Sequence, residues 1–186
     1  MQNRKRLKLI FLILFLTAFI FYIVYEDSPV SSQPESNTLL AVAEVHDGDT
    51  VSVMLNNKKE KVRLIGIDAP EIGQRPWGKR AKKYLENILS SSGWRVRLEF
   101  DVEQRDKYGR VLAYMWTKDG KMANLLMVEN GYAMLFTVPP NVKYTNELRV
   151  AQNEARKKEL GIWSRKGLKE RPSDYRREHE RQNLIY

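Results

Sequence analysis

Val62-Arg63-Leu64-Ile65-Gly66-Ile67-Asp68-Ala69-Pro70-Glu71 is an apolar run broken by an arginine and closed by acid, proline and acid. Read alone, it is a strand (61–67) that runs into a proline turn. An arginine inside the strand, an aspartate at its end and a glutamate past the proline are polar groups at places where a sheet can aim them. Upstream lie two more short segments rich in β-branched residues, 39–46 and 50–55, separated from each other and from 61–67 by Asp-Gly and Asn-Asn turn signals. Downstream, 76–89 has helical spacing, with Trp77, Ala81, Tyr84, Leu85, Ile88 and Leu89 mostly on one face. Residues 94–100 alternate strictly, as a half-buried strand does. A further strand follows at 111–116, then helices at 122–130, stopped by Gly131, and 145–160, stopped by Gly161. Three strands, a helix, two strands and two helices are compatible with an α+β fold built on a small Greek-key barrel of the OB type.

Outside this region the chain changes character. Asn3 to Lys8 is basic, and residues 9–25 form an apolar run whose only clearly polar member is Thr17. At about 1.5 Å per residue this run reaches about 25 Å, near the thickness of a hydrocarbon core. A retained transmembrane anchor and a cleaved secretion signal both fit. The length and the absence of small residues before Glu26 favour the anchor. The basic flank (1–8) is then cytoplasmic and the bulk of the chain lies outside the membrane. Residues 26–38, rich in Ser, Pro and acids, read as a flexible linker. The globular region spans 39–164. Residues 165–186 form a charged tail, either a frayed helix or disorder, to which no role is assigned.

The chain has no cysteine, which excludes disulfides, zinc–thiolate sites and a cysteine nucleophile. Only His46 and His179 are present, so a multi-histidine zinc site is excluded as well. The net charge is +9, of which Arg4, Lys5, Arg6 and Lys8 supply four; the remaining excess suits a polyanionic partner without requiring one.

Three stretches carry the chemistry: His46-Asp47-Gly48-Asp49-Thr50-Val51, the opening stretch through Glu71, and Asp106-Lys107-Tyr108-Gly109-Arg110. Each alone reads as a turn. Together they offer carboxylates at Asp49, Asp68 and Glu71 and guanidiniums at Arg63 and Arg110. Carboxylates and carbonyls bind a hard divalent cation that polarises a phosphoryl oxygen. A further carboxylate can activate water, and two arginines can hold the charge that builds on phosphorus. By contrast Gly73 to Lys79 matches a phosphate-loop pattern only by letters. Arg80 stands where Ser or Thr is needed, and Pro76 and Trp77 interrupt the loop. Lys79, Arg80, Lys82 and Lys83 read as a solvated helix face. Trp77, Tyr84, Trp94, Phe100, Tyr114 and Trp163 read as core.

The stretches D-G-D-T-V (47–51), V-R-L-I-G-I-D-A-P-E (62–71) and D-K-Y-G-R-V-L-A-Y (106–114), with E-L-G-I-W-S (159–164), closely resemble the staphylococcal nuclease family over about residues 40–164. The resemblance implies a five-stranded OB-fold barrel with three helices, calcium as cofactor and a monomeric catalytic domain. It implies endo- and exonucleolytic cleavage of DNA and RNA to 3′-phosphate products. Carried over by position, Asp49 and Asp68 are the calcium carboxylates and Ala69 a ligand through its backbone carbonyl. Glu71 positions or activates water, Arg63 and Arg110 clamp the phosphate, and Lys107 and Tyr108 contact a terminal phosphate. Asp47 and Thr50 shape the loop around the metal. The family's two base-flanking tyrosines have no match in residues 135–141; Phe136 and Tyr144 are the candidates for stacking. The competing class is a non-catalytic OB-fold module that binds nucleic acid or protein, against which the retention of all five charged residues argues.

Overall fold

The computed structural model describes residues 38–183, together with Thr17. The expected membrane anchor, apart from Thr17, and nearly all of the linker lie outside the described residues. Among the described residues no helix is long and apolar enough to cross a membrane.

Five strands close into a barrel in the order β1 (Leu40–Val45), β2 (Thr50–Leu55), β3 (Lys58–Leu64), β6 (Val111–Thr117), β5 (Arg95–Glu99). All pairs are antiparallel except β3 with β6, which run parallel with Arg63 opposite Leu112. The β2–β3 hairpin turns through Asn56 and Asn57, both at positive φ, the conformation that a tight hairpin demands and that asparagine tolerates. A bulge in β1 between Val42 and Glu44 shifts its pairing with β2, which bends the strand toward closure. Val51, Val53, Val62, Val96, Leu98, Val111, Ala113 and Met115 fill the interior and are almost wholly buried.

Helix α1 (Trp77–Ser91) buries Ala81, Leu85, Ile88 and Leu89 on the face expected from its spacing. Helix α2 (Ala123–Glu129) and helix α3 (Thr145–Lys157) complete the predicted three. Asn124 in α2 is fully buried. Its Oδ1 accepts the Met115 N–H at 2.9 Å and its Nδ2 donates to the Ile65 carbonyl at 2.8 Å. One amide thus fixes α2 to β6 and to the corner after β3, and both of its ends are satisfied.

That corner redirects the chain toward the acids. Gly66 has φ +79°, and an added Cβ would fall 2.6 Å from Leu148 Cδ1, so only glycine turns here without strain. Two-residue strands β4 (Ile67–Asp68) and β7 (Met134–Leu135) then pair antiparallel, Asp68 opposite Met134. The short β4–β7 ladder is an addition to the expected five strands.

One expectation needs correction. Trp94 belongs neither to strand nor to core: β5 starts at Arg95, and Trp94 has φ +57° and is 42% exposed. It sits past the Ser92-Gly93 turn, where its N–H bonds the Leu89 carbonyl and its own carbonyl accepts from Val42. Of the two alternatives for the tail, the described residues form the helical one. A 3₁₀ turn covers Gly161–Trp163, and a fourth helix, α4 (Pro172–Asn183), follows. Pro172 at its first position is preorganised for a helix start.

Gly48 lies in the β1–β2 turn, where an added Cβ would meet Ala69 Cβ at 2.6 Å and Ala81 Cβ at 2.7 Å. Gly48→Ala is expected to lower stability by roughly 1–3 kcal/mol, the cost of overpacking a close approach; urea unfolding of wild type and variant measures it.

Candidate active site

The barrel's own register assembles the site. Thr50 pairs with Arg63 across β2 and β3, and the Leu64 N–H bonds the Asp49 carbonyl at 2.9 Å. Asp47 shapes the turn before Thr50, its Oδ1 accepting the N–H groups of Asp49 at 2.9 Å and Thr50 at 2.7 Å. This aims the Asp49 carboxylate inward. Its Oδ1 accepts from the Thr50 hydroxyl at 3.0 Å and its Oδ2 from the Ala69 N–H at 2.7 Å. The Ala69 side chain is buried, so the backbone is the part of this residue that serves the site.

Arg63 reaches from β3 to both aspartates. Its Nη1 lies 2.9 Å from Asp49 Oδ2 and its Nη2 lies 3.2 Å from Asp68 Oδ1, with Nη1 also donating to the Leu64 carbonyl at 3.2 Å. All three side chains are nearly buried, Asp68 to 1% exposure. Burial raises the Asp49 pKa to about 6, against the pull of Arg63 and with a push from Asp47. Burial also raises that of Asp68, against the attraction of Arg176 and Arg63. Arg63 therefore does not fully offset the burial of the two aspartates.

Glu71 follows Pro70 and keeps its side chain 30% exposed at the rim of an open cleft of about 1250 Å³. Its N–H donates to Gln74 Oε1 at 3.0 Å, and its carbonyl accepts from the Gln74 N–H at 2.8 Å. Gln74 is a positioning residue missed in the sequence, where it stood inside the phosphate-loop decoy. Asp49, Arg63, Lys107, Tyr108, Arg110 and Phe136 line the same cleft.

On the 106–110 turn, Asp106 Oδ2 accepts from Arg110 Nε at 2.7 Å, and Asp106 Oδ1 accepts the N–H groups of Tyr108 and Arg110. Burial alone would raise Asp106, but the Arg110 side chain and backbone hold its carboxyl below the usual aspartate range. Tyr108 is 71% exposed, with Lys107 Nζ 5.0 Å and the Arg110 guanidinium 5.5 Å from its ring centroid. Phe136 faces the cleft, 42% exposed. Tyr144 does not line it: its ring packs edge-on against Tyr114 and Trp116 and its hydroxyl bonds Glu99. Of the two stacking candidates, Phe136 alone is at the cleft.

The second residue missed is Arg176 of α4, whose Nη1 lies 2.6 Å from Glu71 Oε1 and whose Nη2 lies 3.0 Å from Asp68 Oδ1. No motif marks it, since it stands in a run of charges.

Among the described residues no three His, Cys, Asp or Glu side chains form a ready metal cage. Two buried, adjacent carboxylates nevertheless fit a hard cation that fills its shell with carbonyl and water oxygens. His46 stands apart, bonding Ser52 Oγ at 2.8 Å through Nε2.

An aspartate whose pKa is higher folded than unfolded holds its proton more tightly in the native state. Stability from Asp49 is therefore present at low pH and is lost as pH rises toward 6. In chelator, wild type is expected to gain about 1 kcal/mol relative to Asp49→Asn between pH 7 and pH 5; urea melts at the two pH values provide the comparison.

Comparison with known proteins gives this geometry a lineage. A model of the family described as staphylococcal nuclease homologue matches residues 61–165. The thermonuclease of Staphylococcus intermedius is 40% identical over 153 residues, 78% of this chain and 89% of that protein. The thermonuclease of Staphylococcus hyicus is 36% identical over 148 residues, 75% of this chain and 85% of that protein. Endonuclease YncB of Bacillus subtilis is 38% identical over 128 residues, 65% of this chain and 59% of that protein. With a five-stranded closed barrel, an arginine spanning two buried aspartates and relatives of this similarity, the chain belongs to the staphylococcal nuclease family.

Proposed function

We propose that this chain is a calcium-dependent nuclease that hydrolyses phosphodiester bonds of DNA and RNA and leaves the phosphate on the 3′ side. The observation that supports this best is the convergence of Asp49 and Asp68 on Arg63, at a cleft that Glu71 and Arg110 also line. A cleft of this volume, open along its length and bordered by Lys107, Arg110 and Phe136, suits a flexible polyanion better than a small molecule.

Asp49 and Asp68, with the Ala69 carbonyl, would hold the cation. When bound, calcium supplies Lewis-acid polarisation of a phosphoryl oxygen and neutralises charge there. Glu71 accepts a proton from the attacking water as the oxygen–phosphorus bond forms and the bond to the 5′ oxygen breaks. Its partial exposure gives it access to that water. Arg63 and Arg110 stabilise charge on the non-bridging oxygens, for which the planar guanidinium is suited. Arg63 is already oriented by the two aspartates and Arg110 by Asp106, so neither needs to be ordered during the reaction. Lys107 and Tyr108 receive a terminal phosphate, and Phe136 offers a ring for base stacking. With Phe136 as the one ring assigned to stacking, base preference is expected to be weak.

A catalytic domain tethered outside the cell membrane by residues 9–25 agrees with the length of that run and its basic flank. Calcium is abundant outside cells, where a weak oxygen site can fill, and scarce within.

Glu71→Gln is expected to lower kcat by roughly 10²–10⁴-fold, the usual contribution of a general base, with DNA binding retained. Cleavage of single- and double-stranded DNA in calcium, in magnesium and in chelator is the measurement. Equal activity of wild type and variant refutes the role of Glu71, equal rates in both metals refute the calcium requirement, and DNA binding without cleavage in any metal leaves a binding module.

A further inference from the structure

Helix α4 is polar on nearly all sides: of Pro172–Asn183, Pro172 alone is buried among residues whose side chains are described, and Tyr175 is the sole aromatic. A helix without an apolar stripe has little hydrophobic reason to stay on a domain. It is nonetheless seated at the active site through specific polar contacts. Gln74 Nε2 donates to the Glu170 carbonyl at 2.9 Å, and Trp77 Nε1 to the Lys166 carbonyl at 3.4 Å. The Tyr175 hydroxyl lies over Gly73, where an added Cβ would come within 2.2 Å of it. At the end of this path the Arg176 guanidinium bridges Glu71 and Asp68. Its Nη1 lies 2.6 Å from Glu71 Oε1, and its Nη2 lies 3.0 Å from Asp68 Oδ1 and 3.2 Å from Asp68 Oδ2.

Both oxygens of Asp68 therefore face a guanidinium, Oδ1 facing Arg63 as well. A cation that uses Asp68 and the side chain of Arg176 compete for the same lone pairs, and Glu71 cannot take a proton from water while Arg176 holds it. Asp49, Asp68 and Glu71 against Arg63 leave two excess negative charges; Arg176 cancels one of them, and a divalent cation cancels both.

We propose that Arg176 is a built-in, displaceable counter-cation: the C-terminal helix plugs the site in the metal-free enzyme, and cation binding expels it. The plug protects the carboxylates from lying unpaired and keeps the site silent until the cation concentration outcompetes it. Its grip on Glu71 is an ion pair exposed on both sides, Arg176 to 36% and Glu71 to 30%, and such pairs are weak enough to yield to a divalent ion. Substrate and plug would also compete, because the tail lies at the cleft that the substrate needs.

This rests on the reading of Asp49 and Asp68 as a cation site, and the experiment separates the two. Calcium binding to the full-length chain in detergent is measured by isothermal titration calorimetry for wild type, Arg176→Gln and Arg177→Gln. The last is a control, since Arg177 pairs with Asp174 outside the site. Amide hydrogen exchange of residues 172–183 in the wild type is followed with and without calcium. The expected result is binding about tenfold tighter or more in Arg176→Gln, as when the competent state is under about a tenth of the population. Arg177→Gln should match wild type, and exchange in 172–183 should accelerate on adding calcium. Equal or weaker binding in Arg176→Gln, or a helix equally protected at saturating calcium, overturns the plug while leaving the cation site standing. No calcium binding by any of the three folded proteins overturns the cation site and the plug together.

Discussion

Everything at the site depends on one buried guanidinium. Arg63 is held near the end of barrel strand β3, and its two terminal nitrogens engage aspartates that arrive by separate routes. Asp49 comes from the turn between β1 and β2, and Asp68 from the corner after β3. Without Arg63 two carboxylates would sit nearly dry and side by side, a situation that costs several kcal/mol per ion. With it, they are tolerable but their burial is not fully offset, as their raised proton affinities attest. The protein thus keeps two carboxylates close together in a nearly dry place.

Those carboxylates link the fold to the tail. The barrel and the first three helices would be complete without residues beyond Trp163, and the tail contributes little to the apolar core. Its contacts go to the loop that carries Glu71 and to the acids themselves. Gln74 joins the two halves, with one end of its amide accepting from Glu71 and the other donating to Glu170. The loop that carries Glu71 is thus also the tail's docking station.

The barrel was legible because its strands are short and rich in β-branched residues, 94–100 alternates, and the turns carry Asn-Asn and Asp-Gly. Strand boundaries moved by only a few residues; β3 begins at Lys58 rather than 61 because the two asparagines make a tight hairpin and leave no loop. The site's charged residues were legible because three spaced motifs share one chemistry. What stayed hidden was whatever depends on long-range approach. Trp94 looks like core by composition, yet a turn at Ser92-Gly93 turns it outward. Tyr144 and Phe136 are equally aromatic, and only the packing of Tyr144 on Tyr114 and Trp116 takes it from the cleft. Arg176 lies 105 residues beyond Glu71 in a run of charges, where no periodicity distinguishes one arginine from the next.

The parallel pairing of β3 with β6 has a kinetic side. Val62 meets Val111 only after a helix and another strand have been laid down between them, and such distant closures pay their loop entropy before any contact rewards it. A chain that has formed only the β1–β2–β3 meander already holds Asp49 beside Arg63, but Arg110 reaches the cleft only when β6 is zipped in. Arg63 and Arg110 therefore line one cleft only in a chain whose parallel pair has closed. A molecule holding the first three strands alone would carry the Asp49–Arg63 pair without Arg110, so the complete cleft belongs to the shut barrel.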